Sequence, residues 1–199
     1  HLVSSRPYYT YEKSHLKAKL ETNPYSFLHV INPEFKKNHG TKPNSIERFN
    51  LVKDQYEKFK TNTLFIQDEK SSFYVYKQTT PSAEFTGIIA GASVLDYSNG
   101  LIKKHENTIL KRETLFKKYL HVCHFHAEPV LLSYSFNDEI TNIISSKKVE
   151  RPEYEFTTTD NKNHELWIID DPVIIEKLVE AFKKVDKIYI ADGHHRASS

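Results

Sequence analysis

Between residues 44 and 60 apolar side chains recur every three or four positions, with Ile46, Phe49, Val52, Tyr56 and Phe59 forming one stripe in NSIERFNLVKDQYEKFK. That period predicts a helix with one buried face, and Asn44 with Glu47 reads as a capping box at its start. A second stripe, Leu115, Phe116, Tyr119 and Leu120, predicts a helix in LKRETLFKKYL. Leu16 and Leu20 predict a shorter one ahead of the breaker Asn23-Pro24. β-prone runs alternate with these helices. SFLHVI, closed by Pro33, reads as a strand; so do the two halves of LFIQDEKSSFYVYKQ on either side of a polar turn at 68–72, then FTGIIAGASVLDY and PVLLSYS. The stretch 137–163 is polar and reads as irregular.

The last unit is the most regular. ELWIID is a strand, Asp170 or Asp171 caps a helix with Pro172 at its first position, and Ile175, Leu178, Phe182 and Val185 line the buried face. KIYIA is the next strand. A strand-helix-strand unit of about 30 residues favours parallel pairing with a right-handed crossover. The fold class expected is α/β, mixed α+β, in one domain with a sub-boundary near 137–163.

Composition narrows the function classes. With 199 residues, 38% of them hydrophobic, the chain can bury a sizeable core. Its net charge of +2 is spread without a basic face, and no helix-turn-helix pattern is legible, which argues against a nucleic-acid partner. No run of some 18 apolar residues is present, so a membrane span is not expected. The single cysteine, Cys123, cannot close an internal disulfide, which fits a reducing compartment and a cytoplasmic location. The chain starts at His1, lacks methionine and stops where a helix is expected to begin, so it reads as part of a longer protein.

Three short stretches carry candidate chemistry. In IADGHHRASS, Asp192, Gly193, His194, His195 and Arg196 follow a strand and open a helix. Backbone N–H groups at a helix start favour an anion, glycine allows positive φ and close approach, and arginine forks onto two oxygens. The alternative is an exposed polar turn. In GLIKKHENT, Lys103, Lys104, His105, Glu106 and Thr108 combine cations, an imidazole and a carboxylate before a helix that Thr108 can cap. Such a carboxylate can act as a general base while lysine neutralises phosphate charge; a solvated turn is the plainer account. In HVCHFH, a strand would put His124 and His126 on one face and His121 and Cys123 on the other, so the four do not converge. No metal site is assigned at any of the three.

The set NPYSFLHVINPE, FYVYKQ, TGIIAGASVLDY, IKKHENT, EPVLLSY, LWIIDD and IYIADGHHR resembles, in order and spacing, the N-terminal half of the bacterial family called domain of unknown function ten-fifteen. IKKHE-x-T and ADGHHR are its most specific pieces. The resemblance covers nearly the whole chain and implies that the C-terminal half of the usual protein is absent. It also implies a ParB/sulfiredoxin-like nucleotide-binding core with the strand-helix-strand unit leading into the DGHHR loop, and kinship with kinases of free L-serine. Carried over, Gly193 and Arg196 match the phosphate-binding glycine and arginine, and His195 matches the histidine of the sulfiredoxin loop. His194 stands where sulfiredoxin has its reactive cysteine, so sulfinic acid reduction is not expected. Tyr9 stands where the commoner family form has an aspartate. The resemblance therefore implies a phosphotransferase using ATP or ADP with a divalent cation such as magnesium, acting on a small hydroxylated metabolite. From the residues themselves, Glu106 is the candidate base, Lys104 counters developing charge, His105 completes the catalytic group, and Thr108 with Asp192, Gly193, His194, His195 and Arg196 forms the phosphate site. The other expectation is a ParB-like nucleotide switch without kinase activity.

Overall fold

The computed structural model describes residues 2–36 and 40–199. Helices are α1 (Lys13–Thr22), α2 (Leu28–Ile31), α3 (Ile46–Thr61), α4 (Val94–Ser98), α5 (Leu110–Cys123), α6 (Asp138–Lys147), α7 (Pro172–Lys183) and α8 (His194–Ala197). Strands are β1 (Phe73–Thr79), β2 (Glu84–Ile89), β3 (Ile102–Lys103), β4 (Leu131–Tyr134), β5 (Tyr154–Thr157), β6 (Asn163–Ile169) and β7 (Ile188–Asp192). The fold is mixed α and β. Among the described residues no helix is long and apolar enough to cross a membrane. The chain divides into two compact units, one formed by the segment through Gln67 with Ile109–Ala127 and Ser199, the other by Asp68–Thr108 and Glu128–Ser198.

The first unit is helical. The stripe of α3 buries Phe49, Val52 and Phe59 against Val30 and Cys123, with Phe27, Tyr56, Phe65, Leu115 and Tyr119 packed around them. Ile46 is half exposed and lies outside that core. Ser45, not Asn44, caps α3: its hydroxyl accepts from the Arg48 N–H, while Asn44 takes a left-handed turn with φ 62°. SFLHVI is helical rather than a strand. A short apolar run carries no period of its own. Here Ser26 accepts from the Leu28 N–H, the Val30 N–H returns to the Phe27 carbonyl, and the single turn of α2 buries Leu28 and Val30 completely. LFIQ forms no strand either, because Leu64 and Phe65 donate back to the Phe59 carbonyl, close the end of α3 and pack on its core. Buried Glu34 accepts from the Thr41 N–H and hydroxyl and from the Arg48 guanidinium, so its charge is matched where water cannot reach it.

The second unit holds both sheets, a four-stranded one in the order β2-β1-β6-β5 and a three-stranded one in the order β3-β7-β4. Val75 and Trp167 with Ile169 from the larger sheet meet Ile140 of α6 and Leu178 with Ala181 of α7 in one buried cluster. Asp171 caps α7, accepting from the Val173 N–H, while Asp170 pairs with Lys70 at 2.9 Å. Three sequence expectations give way here. The stretch 137–163 is ordered: Asn137 caps α6 by accepting from the Ile140 N–H, β5 follows, and the whole stretch lies inside this unit. FTGIIAGASVLDY is a strand only through Ile89, after which Ser93 caps α4. Finally, β6 and β7 do not share a sheet. β6 is paired along both edges, by β1 and by β5, and leaves no edge for a parallel partner. β7 instead pairs in parallel with β3 and antiparallel with β4.

Candidate functional site

The pairing of β3 with β7 brings two of the sequence motifs together. Both strands run the same way, Ile102 opposite Ile188 and Lys103 opposite Tyr189, so the loops at 104–108 and 193–196 leave from neighbouring carboxyl ends. β4 runs antiparallel with Leu131 opposite Asp192, and the segment entering it brings Glu128 to the same end of the sheet.

At the end of β7, Gly193 adopts φ 92° and ψ 30°, a left-handed conformation costly for any residue with a Cβ. A methyl at that position would stand 2.8 Å from Arg196 Nη2 and 2.9 Å from its Nε. The open face of the glycine is therefore covered by the arginine of its own motif. Arg196 Nη2 donates to Asp192 at 2.9 Å and Nη1 donates to Glu128, which leaves the guanidinium mostly buried with its Nε unpaired among the described residues. α8 is one turn within the described residues, too short to sum a useful dipole. His195 is half-buried, and the Ser198 hydroxyl donates to its carbonyl.

At the end of β3, Lys104 is exposed with its ammonium over the Tyr97 ring, 5.7 Å from the centroid. His105 and Glu106 turn toward the other loop. Glu106 Oε2 lies 3.8 Å from His194 Nδ1, Glu106 Oε1 lies 3.9 Å from His105 Nε2, and the two imidazoles meet edge to face with centroids 4.4 Å apart. His194 is buried, 5% exposed, while His105 and Glu106 are exposed. Thr108 does not occupy the cap of α5. That position falls on Ile109, whose side chain accepts nothing.

The third stretch belongs to the first unit. His121 and Cys123 end α5, and His124 closes it in a left-handed conformation with φ 60°. Cys123 is buried, its thiol facing the Phe49 carbonyl at 3.4 Å, and burial pushes its pKa up to about 11. Such a thiol is no nucleophile near neutral pH. Glu128 is the residue that sequence reasoning missed; nothing in HAEPVLLSY marks it, since its place depends on how β4 pairs.

The motifs that carry the resemblance, IKKHENT and ADGHHR, thus occupy one end of one sheet. The chain belongs to the family described as Protein of unknown function (DUF1015). The family model matches residues 1–199, so both loops and Glu128 fall within it. No curated protein and no solved structure matches the chain. Membership in DUF1015 names no reaction, so any account of activity must come from these two loops.

Proposed function

We propose that the chain forms the nucleotide-handling part of a phosphotransferase acting on a small hydroxylated metabolite of the free L-serine type. One observation carries this reading: the loops bearing Lys104, His105 and Glu106 and those bearing His194, His195 and Arg196 meet beyond the carboxyl ends of adjacent parallel strands, with Glu106 3.8 Å from His194. Open sheets bind ligands at that end. The donor is ATP or ADP with a divalent cation such as magnesium. Arg196 presents a fork that fits two phosphate oxygens, with His195 beside it and Lys104 free to turn inward against developing charge. The acceptor loses its proton to the cluster of His105, Glu106 and His194, whose single carboxylate is Glu106.

Arg196 is matched to two carboxylates in the free chain, and the phosphate has to replace them. Asp192 is 74% exposed at its side chain and gives way most easily; both released carboxylates suit the oxygen preference of magnesium. Two expected results follow from this exchange. Arg196→Ala weakens nucleotide binding by about 1.5 to 3 kcal/mol, the scale of a hydrogen bond to a charged group, measured by calorimetry. Glu128→Gln does the opposite and tightens binding several-fold, because it removes one competitor for the guanidinium. Equal affinities in all three proteins would take Arg196 out of the phosphate site.

Titrating the chain with the magnesium complexes of ATP and ADP, with and without L-serine, tests the reaction itself. Heat of binding together with phosphoserine by mass spectrometry is the expected result. Binding without product from a panel of hydroxylated amino acids would make the protein a nucleotide-binding module instead, and no binding of either nucleotide would end the reading.

A further inference from the structure

We infer that His105, Glu106 and His194 form a binding site for one divalent transition-metal ion of the zinc class. Their ligand atoms all lie within 4.8 Å of one another, and they arrive from two segments 88 residues apart in sequence. Adjacent histidines on one loop rarely converge on an ion. Here it is His194 alone that joins a histidine and a carboxylate from the neighbouring strand's loop.

The distances describe a site close to closing. Nitrogen and oxygen donors held about 2.0 to 2.2 Å from a tetrahedral zinc ion stand about 3.4 Å from each other. The two carboxylate–imidazole separations, 3.8 Å from Oε2 and 3.9 Å from Oε1, are longer by about half an ångström, and with one atom from each residue the set spans up to 4.8 Å, so the side chains must draw in by more than that to hold an ion. The two separations exceed hydrogen-bond reach and fall within ion-pair distance, so in the free chain the three groups meet through weak charge and ring contacts that an ion can replace. Burial is divided: His194 is held at 5% exposure, while the His105 and Glu106 side chains, 60% and 61% exposed, have room to turn toward it. The imidazole approaches the cluster through Nδ1, while its buried Nε2 finds no hydrogen-bond partner among the described residues. A metal at Nδ1 would fix the proton on Nε2, so the gathering of the three donors, and not that nitrogen, marks the site.

The donor set selects the ion. Two imidazoles and one carboxylate suit zinc, manganese or iron, whereas magnesium demands oxygen ligands. Three protein ligands leave at least one position open, the arrangement of a catalytic rather than a structural zinc site. An acceptor hydroxyl entering that position would be acidified by the ion and would release its proton to solvent water, with Glu106 a ligand there in place of the base of the phosphotransfer reading. The assignment goes beyond the phosphotransfer reading and shares only its residues.

The test uses zinc alone, without nucleotide or acceptor. Titration of the chain is expected to show one ion bound, with affinity lowered tenfold or more in each of His105→Ala and Glu106→Gln, and unaffected by excess magnesium. Cobalt substituted for zinc should give visible absorption bands that both variants lose. His194→Ala is the most damaging change but sits in the interior and can disturb folding; the other two variants are exposed and keep the test decisive. With eleven histidines in the chain, adventitious binding has to be separated from this site. No bound zinc, or equal affinity in His105→Ala and Glu106→Gln, overturns the proposal. Zinc binding in a protein that shows no phosphotransfer would leave the metal site standing and remove the kinase, and phosphotransfer without zinc binding would do the reverse.

Discussion

Glu106→Gln is expected to cut phosphotransfer turnover a hundredfold or more, about 2.7 kcal/mol at the transition state, while leaving nucleotide affinity and folding nearly unchanged. Glutamine keeps the shape and removes the charge. Glu106 is the one carboxylate of its cluster and touches neither Arg196 nor the residues that hold it, so the phosphate site loses nothing. Its side chain is 61% exposed and its two imidazole contacts lie beyond hydrogen-bond reach, so stability should move by less than about 0.5 kcal/mol. Steady-state turnover with calorimetry on the same samples separates these effects. Unaltered turnover would place the proton acceptor elsewhere. Partial recovery in excess zinc would show that the carboxylate works as a ligand, and no recovery would show that it works as a base.

The elements most legible in the sequence were those with two independent signals. α7 had a stripe of apolar residues, an aspartate cap and a proline at its first position, and its observed span and cap match that reading, with Asp171 chosen over Asp170. α3 had the stripe but its cap was misread by one residue, because Asn44 and Ser45 are both good caps and only the backbone angles decide. α2 had only an apolar run, which a buried helix and a buried strand share. α6 was hidden by its neighbours: Ile140, Ile143 and Ile144 are spaced for a helix, yet they sit among polar residues that suggested a loop.

The site divides in the same way. Both motifs could be read as candidates, but their meeting could not, since it depends on a strand of two residues, β3, too short to leave a pattern. His105, Glu106 and His194 were not read as one cluster because His194 and His195 were weighed as a pair, whereas the ring that meets His194 is His105 from the loop after β3. Glu128 lay outside reach for the same reason: its contact with Arg196 spans 68 residues and exists only because β4 pairs with β7. Local chemistry was written in the sequence, and long-range pairing was not.

Leu178→Ala should show the largest loss of stability, about 2 to 5 kcal/mol, in the unit that carries the site. The side chain is fully buried on α7 among Val75, Ile140, Trp167, Ile169 and Ala181, and its truncation leaves a cavity that two sheet strands and two helices would have to collapse to fill. Leu178→Met, of nearly equal volume, should cost less than about 1.5 kcal/mol. The single tryptophan is a built-in reporter: Trp167 lies in the same cluster, 2% exposed, with its indole N–H donating to the Glu150 carbonyl at 2.9 Å. Urea unfolding followed by its fluorescence therefore reads this unit directly, and the variants should shift the midpoint while the slope stays constant. Because α7 leads straight into β7, a fully unfolded cluster would scatter both loops, yet well below the midpoint the folded fraction should bind zinc and nucleotide with unchanged affinity. A loss under about 1 kcal/mol in Leu178→Ala would mean that the helix does not seal the sheet. A drop in affinity without unfolding would mean that the core, and not the loops alone, sets the spacing of Glu106 and His194.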